Sequence, residues 1–262
     1  MINFNRVIAM IMRYTINMRH NLDRLSDMFY WPLMDLVLMG LTGLYFAKMN
    51  INNPHATEII LTGVIFWWIV WRGQYEISVN LLSEIWDRNL VNIFVAPLKI
   101  SEWILSLLIF GLFKMIASSI FLTLLAFVLY KYNVLMYGFL IIPIALSLLM
   151  SGWIIGFIIA GILILFGLKI QTLAWVGGAI LAPFSAIYYP LSILPAWAQK
   201  AALFVPSSYM FEGMREFITT GSMPFEKFLI SFVLNIIYLT LSIWFFIAMF
   251  KKSRKLGLGR LI

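Results

Sequence analysis

Four charged residues lie inside apolar stretches of the sequence, where ionised side chains are costly and are therefore candidates for function. They are Asp35, Arg72, Glu76 and Lys114. Counting about 1.5 Å per residue along each helix puts Asp35 and Arg72 at similar depths, about 10 Å from the same side of the bilayer. We therefore expect an Asp35–Arg72 ion pair, and Arg72 and Glu76 are also spaced to pair along one helix.

Lys114 falls near the middle of its apolar stretch and has no obvious partner, so it should face the bundle interior or a wet cavity. Two interpretations of the four charges stay open. They hold helices together or reach the membrane surface, or they line a substrate path. Trp67, Trp68 and Trp71 add a second ambiguity, because clustered aromatic rings either guide sugars and flat drugs or form an interfacial belt.

Catalytic patterns are missing from the sequence. It contains no G-x-x-x-x-G-K-[ST] phosphate loop, no H-E-x-x-H and no G-x-S-x-G. It has no cysteine, and His20 and His55 lie far apart in sequence. We therefore expect no metal, no cofactor and no ATP hydrolysis by this chain itself.

The elements that position these residues are membrane-spanning helices. The chain of 262 residues is 63% hydrophobic and only 11% charged, with a mean hydropathy of +0.95, whereas soluble domains are about 25% charged. A spanning helix needs about 20 apolar residues. The sequence predicts six, and Pro183 interrupts the fifth: 29–47, 59–80, 103–130, 134–166, 172–189 and 228–250.

Basic residues gather at both ends of the chain, and cytoplasmic segments of membrane proteins are enriched in Lys and Arg. Both termini are therefore predicted to be cytoplasmic, which an even number of spans allows. The net charge of +8 then reflects membrane orientation, and no nucleic-acid partner is expected. The terminal basic residues are Arg6, Arg13, Arg19, Arg24, Lys251, Lys252, Arg254, Lys255 and Arg260.

Three segments of the single predicted domain, 1–262, do not read as spans. Residues 1–27 predict an amphipathic interfacial helix with a basic face toward lipid headgroups. Residues 81–98 predict a short amphipathic cytoplasmic helix that ends at Pro97 and either lies on the membrane or docks a partner. Residues 190–221, rich in proline and aromatics, predict outer re-entrant or interfacial helices.

This arrangement resembles the permease subunit of an ABC-2 type exporter over nearly the whole chain. One stretch is similar to the coupling-helix region of that family, and another is similar to its outer signature before the last span. The first is Ser83-Glu84-Ile85-Trp86-Asp87-Arg88-Asn89-Leu90, followed by Ala96-Pro97-Leu98 and Glu102. The second is Ile187-Tyr188-Tyr189-Pro190-Leu191-Ser192-Ile193-Leu194-Pro195-Ala196-Trp197, followed by Pro206-Ser207-Ser208 and Arg215.

The resemblance implies a multi-pass protein of the bacterial inner membrane, in which a permease homodimer forms the pathway and two separate ABC ATPase subunits bind below. It assigns ATPase coupling to Glu84, Ile85, Trp86, Asp87, Arg88, Asn89, Leu90 and Pro97. It assigns an outer gate to Tyr188, Tyr189, Pro190, Pro195 and Trp197. The expected substrate is an amphiphile, with a polysaccharide or lipid-linked glycan favoured over a drug or lipid.

Two other classes of protein are alternatives to this family. An integral membrane transferase would need a polar catalytic cluster, and only Glu212, Arg215 and Glu216 come close, at spacings typical of a surface helix. A secondary transporter would show inverted repeats and discontinuous helices near the membrane midplane. The sequence shows no repeat.

Overall fold

The structure, a computed structural model, describes residues 2–49 and 55–257, apart from the side chain of Asp23. Helices make up 87% of it, with no strand in the described part. The ten α-helices of these residues are α1 (Phe4–Arg19), α2 (Leu22–Lys48), α3 (Ala56–Trp86), α4 (Leu90–Val95), α5 (Ile100–Tyr130), α6 (Ile141–Phe166), α7 (Thr172–Leu181), α8 (Ala196–Ala202), α9 (Pro206–Thr220) and α10 (Phe225–Leu256).

Five helical stretches among the described residues are long and apolar enough to cross a bilayer. They are Arg24–Lys48 in α2, Ala56–Trp86, Ile100–Tyr130, Val134–Ile170 around α6, and Phe225–Leu256. The prediction of an all-α, multi-pass membrane protein is confirmed at this level. The remaining predicted span, 172–189, is not a continuous helix of that length.

Helix α3 is the centre of the bundle, because almost every residue from Ile59 to Ile85 is buried. Its closest neighbour is α6, and glycines make that approach possible. A Cβ at Gly152 would collide with the carbonyl oxygen of Val70, and one at Gly156 would lie 3.0 Å from Ile77 Cβ. Gly152 and Gly156 have the four-residue spacing of small residues that lets membrane helices pack closely.

Side-chain contacts fix the directions of the helices. Helix α2 runs antiparallel to α3, because Asp27 meets Arg72 and Gly43 meets Thr57. Helix α5 is also antiparallel to α3, with Lys114 beside Glu76. Helix α6 runs parallel to α3, and α10 runs parallel to α6, since Ser147 contacts Ser231 and Ser151 contacts Asn235 in matching order. The hydroxyls of Ser147 and Ser231 lie 2.9 Å apart, and the Ser151 hydroxyl donates to the side-chain oxygen of Asn235 at 2.9 Å.

Because α6 and α10 are parallel, the chain between them must return along the whole bundle. Helix α7 begins this return beside Gln171, which accepts a hydrogen bond from the indole of Trp86, and it ends at Leu181, two residues before Pro183. Ile187 then lies against Gly63. From Trp86 to Gly63 along α3 is about 35 Å at 1.5 Å per residue. The predicted helix 172–189 is therefore wrong as a continuous helix, although the chain traverses that distance.

Helix boundaries also correct two predicted segments. Residues 1–27 are not one interfacial helix, because α1 ends at Arg19 and α2 begins at Leu22, which places Asp27 on the first long helix. Residues 81–98 are not one amphipathic helix either. Helix α3 continues to Trp86, a turn follows in which Arg88 has a φ of 52°, and α4 is a separate helix of six residues.

Helix α1 and the C-terminal end of helix α10 lie at the end of the bundle that holds α4, which we call the α4 end. Arg13 of α1 pairs with Glu84 there, and Phe250 of α10 packs on Phe94 of α4 at 4.6 Å between ring centroids. At the opposite end lies α9. Near its start, Ser207 is hydrogen-bonded to Ser185, and near its end, Phe217 stacks on Tyr137. The predicted re-entrant region 190–221 forms α8, α9 and a 3₁₀ turn at Leu191–Ile193. We call this opposite end the α9 end.

Candidate functional site

Two side-chain stripes with four-residue spacing face each other in the middle of the bundle. On α2 the stripe is Asp27, Trp31 and Asp35, and on α3 it includes Trp71 and Tyr75. Side chains four apart share a helix face, so each stripe presents a continuous surface. With α7 on the other flank of α3, they line a half-open cavity of about 430 Å³, which we call the aromatic cavity. Its lining residues are Asp27, Trp31, Asp35, Trp67, Trp68, Trp71, Tyr75, Trp175 and Tyr188.

An ion network lies behind this cavity, between α2, α3 and α5. Arg72 donates to Asp27 at 3.1 Å and lies 3.4 Å from Glu76. Lys114 pairs with Glu76, and the Asn80 amide donates to Glu76 at 3.0 Å. The network joins two cations to two anions, so its buried charges cancel.

The network overturns one predicted pair and supplies another. The prediction of an Asp35–Arg72 ion pair is wrong, because Arg72 pairs with Asp27 instead. Asp35 makes no ion pair within residues 2–49 and 55–257. The depth argument misplaced the partner because it treated Asp27 as part of an interfacial helix. The Arg72–Glu76 pair is confirmed. Lys114 faces the bundle interior as predicted, but it does have a partner.

Asp35 is therefore the acid of the aromatic cavity that pairs with no cation among the described residues. It is partly buried and lies near Tyr188 and near the indole of Trp68, although the latter pair lacks regular hydrogen-bond geometry. A carboxylate surrounded by aromatic faces accepts hydrogen bonds and attracts positive charge, and the rings offer stacking and cation–π contacts. The volume suits a drug-sized group.

A second, more apolar cavity of about 580 Å³ lies between α6, α10 and the chain before α9. Its lining includes the exposed rings of Phe204 and Trp244 and carries no charged residue. Such a surface suits lipid chains, and its polar groups are a few uncharged hydroxyls. The aromatic cavity is thus the better candidate for a specific site.

At the α4 end, two buried acids tie α1 to the turn regions of the bundle. Glu84 is bound by Arg13 at 2.7 Å and by the Asn89 amide at 3.0 Å. Glu102 accepts the backbone N–H groups of Asn3 and Lys99, both at 2.9 Å. Burial tends to lower the pKa of Arg13, but the hydrogen bond to Glu84 and the negative charges of Glu84 and Asp87 together outweigh that effect, and the pKa is raised. These ties fix α1 against α3 and α5.

The eight predicted coupling residues divide into two groups in the structure. Glu84, Ile85 and Leu90 are buried inside the bundle, so they position the turn and do not reach its surface. Asp87, Arg88 and Pro97 are exposed, and Asn89 is partly buried. Trp86 is 46% exposed, but it also stacks on Trp175 with 6.2 Å between ring centroids.

The predicted outer-gate residues also divide. Tyr188 lines the aromatic cavity, whereas the Tyr189 hydroxyl donates to the carbonyl of Pro183 at 2.9 Å. Pro190 precedes the 3₁₀ turn and Pro195 precedes α8. Trp197 is exposed and packs edge-on against Phe184. Only Tyr188 faces the candidate site.

The loop that carries Tyr188 is held by the ion pair between Glu212 and Arg215. Arg215 binds Glu212 at 2.7 Å and donates to the carbonyl of Ala186 at 2.7 Å. Glu212 also accepts the N–H of Leu191 at 2.8 Å. Burial lowers the pKa of Arg215, and Glu212 offsets only part of that effect. These contacts hold the loop that carries Tyr188 against α9.

Four residues of the site were missed from the sequence: Asp27, Trp31, Tyr75 and Trp175. The signal for the first two was present, because Asp27, Trp31 and Asp35 repeat every four residues across an unbroken helical stretch. Trp175 had no such signal, since its place depends on how α7 packs against α3.

Comparison with known proteins does not assign a family: no family model and no curated protein matches this chain.

Proposed function

We propose that this chain is the permease subunit of an ABC-2 type exporter, which forms the membrane pathway for ATP-driven export of an amphiphile while a separate ABC ATPase hydrolyses ATP. The family is proposed on the sequence stretches that resemble it. The arrangement of the α4 end is the structural observation that carries the proposal.

That end offers a rigid surface suited to a partner protein. The turn at Asp87 and Arg88 and the outward side of α4 are exposed, including Val91 at 37% and Val95 at 80%. Buried acids behind this surface tie it to α1 and α3, so a force applied to the turn would move the long central helix. Exposed apolar side chains beside charges are typical of protein interfaces.

We further propose six membrane crossings, with the broken segment 172–187 as the fifth and with α1, α4 and both chain ends cytoplasmic. The parallel course of α6 and α10 supports this count. The basic residues at both ends support the orientation. Arg260, one of those residues, lies outside the described part of the chain.

The proposed pathway is shared by two copies of the chain, and its substrate is an amphiphile with an aromatic-stacking head. Sugars of a polysaccharide or lipid-linked glycan stack on aromatic rings, and so do flat drugs, so the rings of the aromatic cavity alone do not separate the two classes.

Co-purification with an ATPase tests the proposal. The chain is expressed with the proteins encoded beside its gene, and ATPase activity is measured in the purified membrane complex. We expect Asp87→Arg to remove the ATPase, because it reverses an exposed charge at the proposed contact. Asp87 is a cleaner target than Trp86, whose loss also removes the Trp175 contact.

The matched control is Glu226→Arg, an equal charge reversal at an exposed position on the α9 end. It should leave the ATPase bound. ATP hydrolysis by this chain alone, or an ATPase that Asp87→Arg and Glu226→Arg release equally, would refute the proposal.

One observation favours a second candidate, a secondary transporter. The break after α7 and the buried ion network resemble the discontinuous helices and intramembrane charges that such proteins use. Substrate transport in vesicles that lack any ATPase but carry a proton gradient would support that alternative.

A further inference from the structure

We propose that the aromatic cavity binds the positively charged group of the transported amphiphile, with Asp35 as the counter-charge. This inference rests on the proposed function in naming the substrate class of the exporter, but the binding site itself is argued from the cavity alone. It narrows the substrate to amphiphiles that carry an amine or quaternary ammonium group.

The charge balance of the cavity is the first step. Asp27 is already matched by Arg72, and the Arg72 side chain is 1% exposed and does not line the cavity. Asp35 faces the same space without a protein cation within 4 Å in the described chain. The cavity is therefore negative, and a carboxylate at this depth gains most from a ligand of opposite charge.

The rings are the second step. Five tryptophans and two tyrosines line the cavity, and the face of an indole is the aromatic surface that attracts cations most strongly. Tyr75, one of these rings, already contacts a cation of the protein itself, since the guanidinium of Arg72 lies 5.3 Å from its ring centroid. An aromatic enclosure beside a carboxylate is the arrangement that recognises quaternary ammonium groups.

The same features disfavour other head groups. A phosphate or pyrophosphate would meet two carboxylates and no free cation on the cavity wall, so anionic lipid-linked sugars are repelled. A neutral sugar would stack on the rings but would not need the charge of Asp35. The charge of Asp35 is therefore what separates the two readings of the cavity.

Binding is tested on the chain alone, reconstituted in phosphatidylcholine nanodiscs, by calorimetric titration with benzyltrimethylammonium. Benzyl alcohol serves as the uncharged aromatic probe and maltotriose as the neutral glycan. We expect saturable binding of the cation only. Asp35→Asn, which keeps the shape and removes the charge, should weaken binding at least about 10-fold, and Asp35→Glu should stay within about 3-fold.

Trp31→Leu gives an independent test of the site, because Trp31 is 57% exposed and its replacement does not disturb the packing of the core. It should weaken cation binding about 3- to 10-fold. Glu226→Gln, a matched loss of an exposed acid far from the cavity, should change nothing. If Asp35→Asn does not fold, the cation affinities of Trp31→Leu and Asp35→Glu still test whether the cavity binds the cation.

Three results would overturn the inference: no saturable cation binding by the unaltered chain, equal cation binding by Asp35→Asn, or maltotriose binding that Asp35→Asn leaves intact. Because no ATPase is present, these outcomes are separate from the exporter proposal. If the chain binds the cation but no ATPase partner is found, the binding-site inference stands and the exporter proposal fails. If an ATPase partner is found but the cation does not bind, the exporter proposal stands and the binding-site inference fails.

Discussion

The charges between α2, α3 and α5 matter as a balanced set, because Arg72, Glu76 and Lys114 are buried, Asp27 is partly buried, and each charge would be costly alone. Arg72 and Lys114 are matched by Asp27 and Glu76. Removing one member leaves a net buried charge, whereas removing an opposite pair restores neutrality. Helix association at this contact thus depends on the sum of the charges more than on any single bond.

Lys114→Met is predicted to destabilise the protein by about 3–5 kcal/mol, because it leaves Glu76 and Asp27 against Arg72 alone. The double variant Lys114→Met with Glu76→Gln should recover much of that loss, since one cation and one anion remain. Thermal unfolding in detergent micelles measures both. A double variant no more stable than Lys114→Met would contradict the charge-balance account.

At this scale the sequence identified the charged residues but not all of their partners. Charges in apolar stretches stand out, so Asp35, Arg72, Glu76 and Lys114 were found. Pairing depends on where helices begin and how they rotate, and the start of α2 at Leu22 moved Asp27 into contact with Arg72. A composition argument carries no information about such rotations.

Among the elements, α3 and α6 form the contact on which the bundle is built. Gly73, Gly152 and Gly156 bring the two backbones together, and any side chain at Gly152 would meet the carbonyl of Val70. Since that obstacle is backbone, it has little room to move aside. The aromatic cavity depends on this contact, because α3 carries four of its nine lining residues.

Gly152→Ala is predicted to destabilise the protein by about 1–3 kcal/mol through overpacking. Gly213→Ala in α9 is the matched control: its added Cβ would lie 3.2 Å from the flexible methyl end of Met223, so it should cause no loss. Thermal unfolding of both variants in detergent measures the difference. Equal midpoints for the two variants would show that α3 and α6 are not so tightly packed.

The elements also show how far periodicity and hydropathy reach. They located five long helices, with helix ends that differ from the observed ones by up to seven residues, because 20 or more apolar residues leave few alternatives. They failed at 172–189, where hydropathy stays high but Pro183 and the irregular chain after it end the helix. They also joined the end of α3 at Trp86 and helix α4 into one predicted helix, 81–98. The turn between them is made at Arg88, a residue other than glycine with positive φ, which the sequence does not reveal.

For the whole molecule, the arrangement of crossings decides which surfaces share a side of the membrane. The chain has no native cysteine, so single introduced cysteines report their side without background. Asn5→Cys and Lys252→Cys lie at the α4 end, and Ser222→Cys lies at the α9 end; all three positions are exposed.

In right-side-out vesicles, a membrane-impermeant maleimide is predicted to label Ser222→Cys and to leave Asn5→Cys and Lys252→Cys unlabelled until the membrane is permeabilised. The physical reason is that segment 172–187 returns the chain across the bilayer. Labelling of Asn5→Cys and Lys252→Cys from opposite sides would mean an odd number of crossings and would contradict this course of the chain.

The central claim, that a separate ATPase docks on the turn between α3 and α4, is tested most directly by crosslinking from that turn. Asp87→Cys is coupled to a benzophenone maleimide in native membranes, and adducts are identified by mass spectrometry, with Glu226→Cys as the control. The account predicts an adduct from Asp87→Cys to a protein that carries a G-x-x-x-x-G-K-[ST] phosphate loop, and none from Glu226→Cys. The absence of any such adduct, or the same adduct from both positions, would contradict it.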